Sequence, residues 1–169
     1  LRRIFSLLRH PQSFKRYGAA LTLCKLYVDL REEENLTDMY AMEIVHHLLS
    51  SLRLSGDLKQ RSSYSTSSTP HGGPDGESGV NVVTVTQKAL GHMLKIIRTP
   101  HVAKRLRKHS NERAMYPEGL SGFVGWVFSQ CCILETAARR AAMKCFSVLV
   151  RSLHPRDEDL HEWFDGART

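Results

Sequence analysis

The apolar side chains between residues 36 and 52 recur at spacings of three and four, which is the period of an α-helix and not of a strand. They are too numerous to lie on one narrow stripe: Leu36, Met39, Tyr40, Met42, Ile44, Val45, Leu48, Leu49 and Leu52. A helix with so wide an apolar surface has to be covered on two sides. This stretch therefore predicts a helix packed between its neighbours in a helical stack.

The rest of the chain continues the same way, because each apolar pattern has a helical period and ends at a proline, a glycine or a polar run. Nothing reads as a strand, and no alternation of strands and helices is present. The first pair of predicted helices spans roughly 40 residues, the length of a HEAT or armadillo unit. We predict an all-α fold, an irregular HEAT/armadillo-like α-solenoid segment of about five to six helices.

Composition divides the chain into three parts. A helical repeat pair is predicted for 1–56, and further helical repeats for 81–169 with a basic connector at 98–118. The range 57–80 is dense in Ser, Gly and Pro, so we expect a disordered insertion that cannot bury enough apolar surface to order itself. The chain begins at Leu1 without an initiator Met, and we expect it to be a fragment of a larger protein.

The motifs of catalysis are missing from the sequence. It has neither a Gly-rich phosphate loop nor the His-Arg-Asp and Asp-Phe-Gly signatures of kinases. The adjacent His46 and His47 point about 100° apart on a helix and cannot chelate a metal together. We predict reduced, buried cysteines, with Cys145 packed on an apolar seam. No catalytic, cofactor-binding or metal-binding residue is therefore predicted, and no membrane span.

The distribution of charge is the sequence feature that most clearly indicates a function. The net charge is +7, and the stretch 98–113 holds six cations against one acid. Within it, a possible patch for nucleic acid or an acidic partner consists of Lys104, Arg105, Arg107 and Lys108. The alternative is a solvated connector between repeats. Because no aromatic residues are interleaved to stack bases, duplex backbone or an acidic protein surface fits better than a single strand.

A longer motif resembles a known family. His10-Pro11 is followed by Phe14-Lys15-Arg16, then by Gly18-Ala19, and the helix runs to Arg31 and the glutamates at 32–34. This order resembles the family of DNA-dependent protein kinase catalytic subunits, which are phosphatidylinositol 3-kinase-related kinases. The basic connector, a short helix with a Trp and a final long helix follow the family's order as well.

The resemblance implies a segment of the N-terminal HEAT-repeat region, or circular cradle, of such a kinase. The implied function is that of a scaffold in double-strand-break repair by non-homologous end joining, in the nucleus. The implied partners are neighbouring HEAT repeats, the Ku heterodimer and double-stranded DNA ends. The whole kinase uses ATP and Mg to phosphorylate Ser or Thr, but its catalytic residues lie outside this segment. The alternative function is a generic HEAT/armadillo-type protein-protein interaction adaptor unrelated to DNA.

Overall fold

The computed structural model describes the backbone of residues 1–64, 75–109 and 119–153, and the side chains of 1–56, 82–107 and 119–153. Over these residues the chain is all-α and solenoid-like, with no strand. Eight helices follow one another: α1 (Arg2–Leu8), α2 (Ser13–Lys25), α3 (Tyr27–Glu32), α4 (Glu34–Tyr64), α5 (Asp75–Ile97), α6 (Pro100–His109), α7 (Gly119–Gln130) and α8 (Thr136–Leu153). The predicted fold class is confirmed.

Helix α4 lies at the centre of the packing, and its wide apolar surface is covered on more than one side, as predicted. It contacts α1, α5, α6 and α8. Its inner residues are buried: Ala41, Ile44, Val45, Leu48, Leu49 and Leu52. Burying each of the larger aliphatic side chains contributes about 1.5–3 kcal/mol, so α4 supplies much of the energy that holds the segment together. One hydrophobic core joins α4 to the other helices, including α7 through Phe123.

Two more helices are present among the described residues than the upper end of the predicted range. The predicted helix after Ser13 divides at Leu26 into α2 and α3. The range 98–118 was predicted as a basic connector, and α6 occupies much of it. Pro100 is the first residue of α6, a position where its missing N–H costs nothing and its fixed φ suits the helix. The proline that ends α5 therefore also begins α6.

Helices extend into the predicted insertion at 57–80 from both ends. Helix α4 continues to Tyr64, and α5 begins at Asp75. Residues 65–74 lie outside the described residues, so the predicted disorder there stays a prediction. Residues 110–118 and 154–169 also lie outside the described residues, so what was predicted for them stays a prediction.

The buried face of α2 is rotated about the helix axis from the apolar face that the sequence predicted, so that prediction is wrong in part. The sequence pattern predicts an apolar stripe of Phe14, Tyr17, Ala20, Leu21 and Cys24, yet Phe14 is 63% exposed and Tyr17 and Leu21 are each 36% exposed. Ala20 is buried as predicted, but the helix completes its buried face with Ala19 and Leu23. Small alanines let α2 approach α5 closely, which the larger side chains would prevent.

Gly56 of α4 lies where the beginning of α8 approaches, and this contact predicts an unusual effect of alanine. Glu135 caps α8 by accepting hydrogen bonds from the backbone N–H of Ala137, at 3.0 Å, and of Ala138. A Cβ at Gly56 would overlap the Glu135 side chain. Alanine normally stabilises a helix over glycine, but Gly56→Ala should lower the free energy of unfolding by about 1 kcal/mol because it displaces this cap.

Gly125→Ala is the matched control, since a Cβ at this position of α7 meets no atom within 4 Å. It should raise the free energy of unfolding by about 0.5–1 kcal/mol. Urea titration of both variants measures the difference. If Gly56→Ala were as stabilising as Gly125→Ala, the contact between Gly56 and Glu135 would be wrong.

Candidate nucleic-acid interface

Helix α6 carries the residues that the sequence singled out as a basic patch. Its buried side consists of Val102, Ala103 and Leu106, which anchor it to the core. Lys104 is exposed on the other side, while Arg105 and Arg107 are partly buried. The side chain of Lys108 lies outside the described residues. The structure therefore places all four predicted residues on one helix, and the three whose side chains it describes lie in different environments.

Arg105 is bound within the protein. Its Nε donates to both carboxylate oxygens of Asp38, at 3.1 and 3.0 Å, and its Nη1 lies 2.8 Å from Oε1 of Glu34. The side chain of Arg105 is 22% exposed and that of Asp38 only 14%. Charge-assisted bonds in this geometry are stronger than surface ion pairs. Arg105 therefore joins α6 to the first turns of α4 and has little capacity left for a phosphate.

The sequence could not show this pairing, because Arg105 and Asp38 are 67 residues apart. What the sequence did offer was the position of Asp38 four residues after Glu34, which puts both carboxylates on the same side of α4. That acidic pair is complementary to an arginine from a neighbouring helix.

A larger basic surface was missed. Helices α5, α6 and α8 contact one another, and residues 82–107 and 136–153 contain ten lysines and arginines and no acid. We call these cations the basic layer: Lys88, Lys95, Arg98, Lys104, Arg105, Arg107, Arg139, Arg140, Lys144 and Arg151. Seven of them are exposed, all except Arg105, Arg107 and Arg139. The available signal in the sequence was the absence of acidic residues from α8, whose cations alternate with its apolar seam.

Arg16, which belongs to the motif at 10–34, holds a turn of the backbone in place. It is 3% exposed and donates from Nη1 to the carbonyl oxygens of His10, at 2.8 Å, and Pro11, at 2.6 Å. These carbonyls belong to the turn between α1 and α2, so Arg16 fixes that turn. Burial lowers the pKa of its guanidinium. Arg16 is therefore a buried structural residue and not a surface cation.

Chemistry by cysteine or metal finds no support among the described side chains. Cys145 is fully buried, and burial raises the pKa of its thiol to about 12, so it stays a packed, protonated group as predicted. Burial was predicted for all four cysteines, but only Cys145 is buried; Cys24 and Cys131 are half-buried and Cys132 is exposed. No group of His, Cys, Asp and Glu within the described ranges could hold a metal ion. No helix among them is long and apolar enough to cross a membrane.

The two histidines of α4 and Trp126 of α7 pack in the contact between helices. The His46 ring lies 4.3 Å from that of Trp126, and the His47 ring stacks on Phe5 at 4.8 Å. Trp126 therefore packs between α7 and α4.

Comparison with known proteins identifies the family. The family model described as "DNA-dependent protein kinase catalytic subunit, CC1/2" matches residues 1–167. A DNA-dependent protein kinase catalytic subunit from Dictyostelium discoideum is 34% identical over 165 residues, which cover 90% of this chain and 4% of that protein. The counterpart from Xenopus laevis is 30% identical over 97% of this chain, and that from Gallus gallus is 28% identical over 96%. This chain spans 4% of the length of each.

No solved structure matches the chain. The family match extends over the helices of the basic layer as well as over the motif at 10–34. The chain therefore belongs to the family of DNA-dependent protein kinase catalytic subunits, in the part described as CC1/2.

Proposed function

We propose that this chain is a scaffold segment of a DNA-dependent protein kinase catalytic subunit that acts in double-strand-break repair by non-homologous end joining in the nucleus. The observation that carries the proposal is the family match over residues 1–167. The proposed role is architectural, because the described residues form helices packed around one hydrophobic core. ATP and Mg would be bound elsewhere in the whole kinase.

The proposed mechanism rests on the basic layer. Its exposed cations attract the phosphates of duplex DNA without reading the bases, since lysine and arginine on a helix surface neutralise phosphate charge. The bonds from Arg105 to Asp38 and Glu34 hold α6 in a fixed orientation, so that Lys104 is presented from a rigid helix. A rigid array of cations loses less entropy on binding than a flexible one. DNA ends held by the Ku heterodimer are the proposed partner, together with neighbouring HEAT repeats.

Lys104→Gln tests the contact with DNA. We expect the chain to bind a duplex weakly at low salt, and the variant to bind several-fold more weakly because one phosphate contact is lost. Lys25→Gln is the matched control, since Lys25 is also exposed but lies on α2, outside the basic layer. Fluorescence anisotropy with a labelled duplex measures both. Equal losses in the two variants would indicate a general effect of net charge and would remove Lys104 from the interface.

One observation favours the alternative function, an adaptor that binds proteins. Phe14, Tyr17 and Leu21 form a stripe on the outer side of α2, and Val28 of α3 is 47% exposed. An apolar stripe of this kind suits another helix. Binding of a protein through this stripe would be insensitive to salt, whereas binding through the basic layer would weaken as the salt concentration rises.

A further inference from the structure

A cleft of about 240 Å³ lies between α5 and α8, within the basic layer but apart from the bonds that α6 makes with α4. Its apolar wall is formed by Leu90, Leu94 and Ala141, and its polar rim by Gln87, Arg140 and Lys144. A volume of this size accommodates a few side chains. The cleft is therefore of the right scale for a short segment of peptide.

Gly91 opens the α5 side of the cleft. A Cβ at this position would meet no atom within 4 Å, so the backbone of α5 is accessible there. Gln87 lies one turn before Gly91 and can both donate and accept hydrogen bonds through its amide. The cleft thus combines a notch that reaches a helix backbone with a side chain suited to a peptide group.

The α8 side of the cleft supplies positive charge. Arg140 and Lys144 are exposed and one helical turn apart, a spacing at which like charges repel each other. Neither forms an ion pair with a carboxylate in the part of the chain that the structure describes, and no acid lines the cleft. Two unpaired cations beside an apolar wall are complementary to a ligand with an anionic group next to an apolar one.

We propose that the cleft between α5 and α8 binds an acidic peptide, with its carboxylates on Arg140 and Lys144 and an apolar side chain in the notch at Gly91. A nucleic-acid backbone fits less well, because it would satisfy the two cations but leave the notch at Gly91 unfilled. The site shares Arg140 and Lys144 with the basic layer, but it lies between α5 and α8 and does not depend on the proposed DNA contact at Lys104.

The test uses the 169-residue chain and a short fluorescein-labelled peptide in which one leucine is flanked by glutamates. Removing both cations, in Arg140→Gln with Lys144→Gln, should weaken peptide binding roughly tenfold or more. Gly91→Gln should weaken it as well, because the longer side chain fills the notch while glutamine is well tolerated in a helix. Arg151→Gln is the matched control, an exposed cation of α8 outside the cleft, and should bind like the unmodified chain.

Two control peptides distinguish the possible ligands. Replacing the leucine by serine, or the glutamates by glutamines, should each weaken binding if the cleft recognises both groups. The proposal is overturned if the unmodified chain does not bind the peptide, or if Arg151→Gln weakens binding as much as the cleft variants. It is also overturned if the serine peptide binds equally well and duplex DNA displaces it, since the cleft would then be a phosphate site. Circular dichroism of each variant confirms that the helices are retained.

Discussion

Replacing Arg105 with glutamate is expected to lower the free energy of unfolding by about 3–5 kcal/mol. The guanidinium neutralises Asp38, whose side chain is only 14% exposed, and a glutamate there would put a second carboxylate beside it. Glu34 contributes less to the effect, because its side chain is 61% exposed and water screens it. Thermal or urea unfolding measures the loss.

Lys104→Glu is the control for this variant, because it makes the same change of charge at the next residue of α6. Lys104 is exposed, so its replacement should change the free energy of unfolding by no more than about 0.5 kcal/mol. A double-mutant cycle with Arg105→Gln and Asp38→Asn should give a coupling of about 1–3 kcal/mol. If the two glutamate variants were equally stable, Arg105 would not join α6 to α4.

Because Arg105 is bonded to α4, it is unsuitable for mutations that test the proposed interface with DNA. Reversing all the charges of the sequence-predicted patch would unfold part of the segment, and the loss of DNA binding would then say nothing about contact. Substitutions at exposed members of the basic layer avoid this problem. Lys104 is suited to the purpose because it lies beside Arg105 but takes no part in the bonds to α4.

The stability of the segment is expected to fall by about 2 kcal/mol between pH 7 and pH 5 through His47 alone. Burial, reinforced by the nearby His46 and Arg9, lowers the pKa of His47 from 6.5 to about 4. Its Nδ1 is buried without a hydrogen-bond partner among the described residues. Glu43 lies 3.8 Å from its Nε2, too far to compensate fully for a buried positive charge.

The sign of the effect follows from which state binds the proton. Between pH 6.5 and about 4 the unfolded chain protonates this histidine and the folded chain does not, so unfolding is favoured as the pH falls. Above pH 6.5 both states are neutral at His47, and the stabilisation is complete. Urea titrations at pH 7 and pH 5 measure the difference.

His47→Gln should remove this part of the pH dependence, even if losing the stack on Phe5 lowers stability at pH 7. His101→Gln is the control, because His101 is exposed on α6 and its replacement should leave the pH dependence unchanged. An identical loss of stability between pH 7 and pH 5 in the unmodified chain and in His47→Gln would show that His47 is not buried in a neutral form.

The fold class and the packing of α4 between its neighbours could be predicted because they depend on the spacing of apolar residues. In α4 and α8 the buried positions, such as Leu48 and Cys145, are those that the period indicated. In α2 the same reasoning failed in part, since the helix has apolar residues on two sides and only the packing of α5 decides which side is buried. Phe14 is exposed for this reason, although its hydrophobicity favoured the core.

The candidate interface was harder to predict, because the role of a charged residue depends on its partners. Lys104 and Arg105 are adjacent and similar in sequence, yet one is exposed and the other bonds to Asp38. Arg16 and its neighbour Lys15 also differ, since Arg16 is buried and bonds to the carbonyls of the turn, whereas Lys15 is partly buried and its Nζ lies 3.1 Å from Nε2 of His10. The cleft between α5 and α8 joins residues about 50 positions apart, and no local pattern indicates such a juxtaposition.

The most direct test of the scaffold function is the salt dependence of duplex binding by the unmodified chain. Each phosphate contact contributes about −0.9 to the slope of the logarithm of affinity against the logarithm of salt concentration. With contacts from at least three cations of the basic layer, the slope should be steeper than about −2.7, and affinity should not depend on the DNA sequence. A slope near zero, or no binding to the duplex at low salt, would contradict a DNA-contacting scaffold and would favour the protein-binding adaptor.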